Sequence, residues 1–448
     1  MVHIAHMARP PFLPDRRDIL AGLCAMSLMP LTFCAAGAQA PQRLALRAKV
    51  DEVALGPGPT HRSRTPVWAL QGPVAVLRYK RGDLLDIALQ NELPAPVVLS
   101  IRGIDGLAAN EPLTATLPLA PGTRANLSVP LRHAGTYLCD LWLADDAVTP
   151  PTHPLPLIVE ETEPVPTDRD DVFLIEAWRL HADGTPIASG TDPRDAATLH
   201  TINGEFSLDM RGIPIRANQR LRFRYINASQ RGIVAVKLEG LDLRVMAIDG
   251  QPAEPFLARN GALVLAPGTR VDALVDVTGP PGLAFSMFLH DGKQTRLFAQ
   301  WMISDEPPLR PAPLPPSPAL PSNGLPEKLD LKDALRVDLP LTGSEWATPA
   351  SFAIAAPPVF HTKTGRTVVL AVTNRTSTAT TFHLHGHHFR LLDRLDDGWK
   401  PFWLDTLAVE PGQTQRIAFL AEYAGRWLIE SVATDWSAPR LVRWYGVA

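Results

Sequence analysis

Cysteine is almost missing from this chain: its 448 residues hold 3, at Cys24, Cys34 and Cys139. The first two lie in an N-terminal stretch that reads as an export signal, so a processed chain keeps one thiol and cannot form an internal disulfide. Blocks of like charge are missing too. No run of five or more residues of one sign occurs, and a formal net charge of -3 creates no field that would gather nucleic acid or an anionic membrane, which argues against both as partners. Long segments with a 3.6-residue apolar period are few, against a helical bundle. In their place stand 45 prolines and 30 glycines, set between short runs of alternating apolar and polar residues. With 46% hydrophobic residues the chain is a soluble globular one, long enough for about two to four domains with full cores.

The first 40 residues are expected to be a targeting segment. Arg16-Arg17 precede the mostly apolar stretch from Ile19 to Ala36, and Ala38-Gln39-Ala40 has the small-x-small pattern of a cleavage site. The paired arginines point to Tat export of a folded chain, with an ordinary Sec signal as the alternative; either route leads to the periplasm. Phe33 is too bulky for the usual lipidation motif ahead of Cys34. No transmembrane span is expected once the signal is removed.

Proline-rich stretches around Pro164 to Pro166 and from Pro307 to Pro326 divide the rest into three blocks, 41–161, 168–306 and 327–448, with 307–326 as an extended connector. The blocks share a pattern. A turn residue is followed nine positions later by asparagine in each of them, as Gly82 to Asn91, Asn218 to Asn227 and Gly365 to Asn374. Each block then has a strand-like run, a Pro-Gly turn and another strand-like run, the turns being Pro121-Gly122, Pro267-Gly268 and Pro411-Gly412. Short alternating strands repeated in this way predict an all-β chain of β-sandwiches in tandem.

The most telling segment is His383-Leu384-His385-Gly386-His387-His388. Together with Asp405-Thr406, the repeats, and the middle-block segments Ile202-Asn203-Gly204, Asp249-Gly250 and Ala266-Pro267-Gly268-Thr269-Arg270, it resembles a three-domain multicopper oxidase over essentially the whole mature chain. The resemblance implies three cupredoxin-like Greek-key β-barrel or sandwich domains, with a type 1 copper in the third and a trinuclear cluster between the first and third. It also implies where the ligands should stand, and most are absent. Ser100 and Arg102 fall at two histidine positions of the first block, Asp140 and Trp142 at two more. In the third block Glu430 and Val432 replace cluster histidines, while Thr380, Ser431, Trp436 and Leu441 occupy the type 1 positions. His383 and His385 remain.

Chemistry gives that loss a meaning. A blue copper centre needs a cysteine thiolate with imidazoles, and Ser431 offers a hydroxyl. Arg102 would set a permanent positive charge among the cluster cations, at a cost of several kcal/mol or more. Arg102, Asp140 and Glu430 converge on one former cluster, so an arginine–carboxylate network is expected to fill it; independent drift toward solvent is the alternative. His383, His385 and His387 alternate on a strand and are expected to share one face, either as a site for one zinc or copper ion or as packed histidines at a domain junction. Only Met210, Met246, Met287 and Met302 follow the signal, so no methionine-rich copper-handling segment exists. No cofactor is expected, apart from copper at the residual His383 and His385. The pattern resembles the copper-free, SufI-like cell-division branch of the family. That resemblance implies an exported, non-catalytic protein supporting the envelope or division machinery through a periplasmic protein partner. The alternative is a divergent copper-dependent oxidoreductase or copper-binding protein using the same strand.

Overall fold

A computed structural model describes residues 40–55, 64–143, 151–191, 196–206, 212–393 and 398–448. Apart from Ala40, the expected export signal lies outside these residues. The described chain is built from strands, with three short 3-10 turns and no α-helix among the described residues. None of its helices is long and apolar enough to cross a membrane.

Six sheets surround three main cores. The first core joins a five-stranded and a four-stranded sheet, with Leu46, Ile87, Val129, Tyr137 and Leu157 among its residues. The second joins a six-stranded and a five-stranded sheet around Phe173, Phe223, Phe285 and Trp301. The third joins a four-stranded and a five-stranded sheet around Leu370, Phe382, Phe419 and Trp427. Each opens with a strand that pairs in parallel with the asparagine strand: Gln42–Ala54 with Leu84–Asn91, Arg169–Leu180 with Arg220–Asn227, and Leu335–Pro340 with Thr367–Thr373. These are the tandem all-β sandwiches that the strand and turn pattern predicts, in the cupredoxin-like form that the resemblance implies.

The repeated asparagines explain why the three blocks fold alike. Asn91 and Asn227 end their strands and Asn374 directly follows its own; all three are fully buried, and each Nδ2 donates to two carbonyls: Ala95 and Leu119 from Asn91, Gly232 and Leu265 from Asn227, Thr378 and Val409 from Asn374. Each Oδ1 accepts the backbone N–H two residues on, from Leu93, Ser229 and Thr376. The Pro-Gly turns close the same corners, because Gly122, Gly268 and Gly412 donate their N–H groups to the carbonyls of Asn91, Asn227 and Asn374. All three glycines sit at positive φ, between 74° and 88°, where a side chain is strained. One amide therefore satisfies three backbone groups that the change of strand direction leaves buried.

The proline-rich segment is strapped down along its length. Arg216 donates to the Pro307 carbonyl, Arg220 to those of Leu314 and Pro315, and Arg81 to that of Ser322. Asn323, just beyond the fixed prolines, pairs with both backbone groups of Ala134 and with Gln251.

Asn374→Ala strips two carbonyls and one N–H of their partner in a corner without solvent. A loss of roughly 2–4 kcal/mol is expected, readable as a lower urea midpoint; a change below about 0.5 kcal/mol would show that the corner is held by other contacts.

Candidate functional site

The histidine strand Thr380–Leu384 is buried along its whole length. It lies between Thr406–Val409 and Gly425–Ala433, and its register sets His383 opposite both Thr406 and Glu430. From the first sandwich come the paired strands Val97–Arg102 and Gly135–Leu143, with Ser100 opposite Asp140 and Val98 opposite Trp142. Arg102, Asp140, His383, Glu430, Val432 and Arg440 line one cleft with Ser229 and Gln230 of the second sandwich, around a cavity of about 30 Å³. That is room for a water molecule or two.

Glu430 is the centre of the cluster. Arg102 Nη2 donates to its Oε1 at 3.0 Å, with the two side chains 12% and 1% exposed. His385 Nε2 donates to the same oxygen at 2.8 Å, and Arg440 Nη1 reaches Oε2 at 3.4 Å. The other ring nitrogen, His385 Nδ1, lies 2.9 Å from Glu111 Oε1. With a carboxylate on each side, both nitrogens donate and the ring is an imidazolium. Burial works against that charge, but the carboxylates of Glu111 and Glu430 outweigh it and raise the His385 pKa to about 9. Burial also opposes ionisation of Glu430, yet Arg102, His385 and Arg440 together hold it well below the ordinary carboxylate range.

The other residues read from the sequence take places around this pair. Trp142 meets His385 edge-on at 5.4 Å, and the Arg440 guanidinium lies 4.9 Å over the Trp142 ring. Ser100 is buried beside them. Asp140 Oδ1 accepts from Thr152 Oγ1 at 2.8 Å, and burial raises its pKa. The residues that the resemblance sets at type 1 positions make ordinary packing and hydrogen-bond contacts. Ser431 Oγ donates to the Leu341 carbonyl at 2.7 Å, and the Trp436 indole donates to that of Ala188 at 3.1 Å. Thr380 is buried within reach of the Thr376 hydroxyl, and half-buried Leu441 pairs with Ser431 across the sheet.

His383 is neutral, and its tautomer follows from its partners. Nδ1 lies 2.9 Å from the Asp405 carbonyl, which only accepts, so Nδ1 carries the proton and Nε2 is bare. Burial, with the nearby Arg102 guanidinium, pushes its pKa down to about 3.

The expectation that His387 shares the face of His383 and His385 fails. The strand ends at Leu384, and Gly386, at φ 77°, turns the chain where the Trp427 ring leaves no space for a side chain. His387 therefore enters the third core, among Phe419, Tyr423, Trp427 and Tyr445. Tyr445 gives its hydroxyl proton to the His385 carbonyl, so it accepts from His387 Nδ1 at 2.7 Å, and His387 Nε2 accepts the Tyr423 N–H. His388 turns the other way and bridges the sandwiches. Its Nδ1 donates to Asp105 Oδ2 and its Nε2 to the Asp249 carbonyl, both at 2.8 Å. Burial opposes this second imidazolium, but Asp105 raises its pKa to about 9.

Sequence reading missed Glu111, Arg440 and Asp105 as members of the site. Glu111 and Asp105 lie in irregular chain either side of a 3-10 turn at Ala108–Asn110, and Arg440 in the loop before the last strand. None belongs to a recognisable spacing. Each reaches the site through contacts between distant segments, which leave no local signal in the sequence.

Two outcomes follow. Arg102→Ala leaves Glu430 short of a buried partner and is expected to cost ~3–5 kcal/mol, whereas His383→Ala removes a neutral ring and costs much less; equal drops in melting temperature would contradict this. His385 and His388 hold their protons more tightly folded, near pKa 9, than unfolded, near about 6.5. Their contribution is full below pH ~6.5 and lost as pH rises through about 9. Melting temperature should fall across that window, and a flat profile would rule out the two imidazolium clamps.

Two multicopper oxidase family models match the chain, over residues 174–300 and 328–445, together more than half of it. Laccase-1 of Thanatephorus cucumeris is 25% identical over 259 residues, 52% of this chain and 44% of that protein; the chain thus spans less than half the length of the curated laccase it matches. The multi-copper oxidase of Pseudomonas thermotolerans superposes with a TM-score of 0.75 at 24% identity, covering 91% of this chain and 99% of that one. McoA of Aquifex aeolicus superposes with a TM-score of 0.72 at 14% identity, covering 91% and 96%. At these identities the structural likeness carries the fold. With the two models, the three repeated sandwiches and the histidine strand of the third set against the first, the chain belongs to the multicopper oxidase family.

Proposed function

We propose that this protein is an exported, non-catalytic multicopper-oxidase-fold protein that acts in the periplasm by binding or structural support of the cell envelope or division machinery. The observation that carries the reading is the clamping of His385 between Glu111 and Glu430, with Arg102 on the same Glu430 oxygen. Copper at several positions needs neutral imidazoles with free nitrogens, and here one of the two remaining imidazoles has both nitrogens engaged. The guanidinium of Arg102 keeps its charge at any working pH and stands where a cation would have to sit. At the type 1 positions no thiolate or imidazole is offered, and the Ser431 hydroxyl is committed to a carbonyl. The residues therefore do not fit the four-copper set of the family, and no electron-transfer step runs through them.

A second reading rests on a different observation. Ligand atoms of His383, His385 and Glu430 lie within 4.8 Å of one another, and the relatives reported above are named laccases and oxidases. On that reading the chain is a copper-dependent oxidoreductase, or a copper-binding protein, centred on these three residues.

Protein matured in a copper-replete periplasm separates the two. The first reading expects no intense absorption near ~600 nm, since a Cys–Cu bond gives that colour, and no turnover of phenols or cuprous ion. Stoichiometric copper with oxidase turnover that is lost in His383→Ala would establish the second.

A further inference from the structure

From 313 to 323 the proline-rich connector runs without a turn or bend. Its burial repeats at every third residue: Leu314 and Ser317 are half-buried, Leu320 and Asn323 are buried, and the residues between them are exposed. A period of three is that of the polyproline II helix, which has three residues per turn and no internal hydrogen bonds. One ridge of that helix lies on the protein, and the other two face solvent.

The prolines are sorted between these ridges. The inward one holds none, whereas Pro311, Pro313, Pro315, Pro316, Pro318 and Pro321 are all exposed. Stiffening a connector needs prolines but does not need them turned outward. The inward ridge does the anchoring instead. Leu320 packs with Met246, Ala247 and Leu274 of the second sandwich, and Asn323 is tied to Ala134 and Gln251. Arg220 holds the carbonyls of Leu314 and Pro315, and at the start of the segment Arg310 pairs with Asp168. The segment is thus fixed along its underside and at both ends, with its proline faces left clear.

We propose that the connector is a docking rail, whose two exposed ridges, Pro315 with Pro318 and Pro321 and Pro313 with Pro316, bind a partner protein through an aromatic-lined groove. Preformed proline helices are taken up by such grooves. The pyrrolidine rings offer apolar faces, and their fixed φ removes most of the entropy cost of ordering the ligand. No residue between Arg310 and Glu327 is charged, and Arg310 is committed to Asp168, so the groove recognises shape and apolar surface rather than charge. The proposal deepens the binding reading above and rests on it for the protein's role; its test reads the surface itself, with no step through metal or turnover, so either can fail without the other.

Isotope-labelled SH3 and WW domains, two modules with aromatic-lined grooves, serve as the probes, and their amide resonances are followed as the folded protein is added. Saturable shifts confined to the groove of at least one probe are expected. Binding should be tighter than to a free peptide spanning 310–323, because the connector is already ordered on the protein. The double variant Pro318→Ala/Pro321→Ala should weaken it about tenfold or more, while Ser317→Ala, on the inward ridge, leaves it unchanged. Binding to neither probe, binding no tighter than that of the peptide, or undiminished affinity in the double variant would overturn the rail. If that variant fails to fold, Pro313→Ala/Pro316→Ala on the second exposed ridge takes its place, with the same loss expected and the same result overturning the proposal.

Discussion

Arg270 has no exposed surface, and the rest of the molecule is arranged around its guanidinium. It opens a strand of the second sandwich, yet it pairs two-pronged with Asp405 of the third at 3.0 and 2.6 Å, and its Nε reaches the Thr136 carbonyl of the first at 3.3 Å. Its remaining donors go to the carbonyls of Gly268 and Asp249. A buried charge of this kind contributes stability only if every neighbour is in place, since leaving a partner unpaired costs several kcal/mol. The arginine therefore works less as an attraction than as a test of correct assembly: a docking error in any sandwich orphans a charge.

The constraint passes directly to the cluster. Asp405 answers Arg270 with its carboxylate and holds His383 with its carbonyl. Asp249 accepts the N–H groups of Asp405 and Thr406, while its own carbonyl accepts from His388. Burial and the neighbouring Asp405 raise the Asp249 pKa to about 6, which marks how crowded with acid this junction is. His383 and His388 are thus fixed by one pair of aspartates, and the geometry of the cluster is a consequence of how the three sandwiches dock. The site keeps its form because its walls are set from outside it.

Much of the architecture was legible because it rests on local chemistry. Asn91, Asn227 and Asn374 with their Pro-Gly partners form corners whose hydrogen bonds span a few residues and one neighbouring strand, so their spacing survives in the sequence. The meeting of Arg102 and Glu430 was legible for another reason: the resemblance sets their positions side by side, and the side chains do pair. What escaped is what depends on tertiary contact. The period-two rule placed His387 beside His385, but it holds only while a strand lasts, and Gly386 ends that regularity against the Trp427 ring. Glu111 escaped because it comes from a loop whose distance from His385 is set by docking between sandwiches, 274 positions along the chain having no local signature.

Charge balance explains why the cluster took this form. Arg102 and Arg440 bring two positive charges to Glu430, Glu111 and Asp140, so three acids face two arginines in a poorly solvated space. One more positive charge is needed, and a single proton on His385 supplies it between the two acids nearest that ring. A methionine or leucine at position 102 would leave the acids in excess and favour either protonation of Asp140 or capture of a cation. An arginine there keeps its charge at any working pH, so with Arg440 it balances two of the three acids whether or not His385 holds its proton. The guanidinium at residue 102 thus accounts for much of how Glu430 is held in a space with almost no solvent.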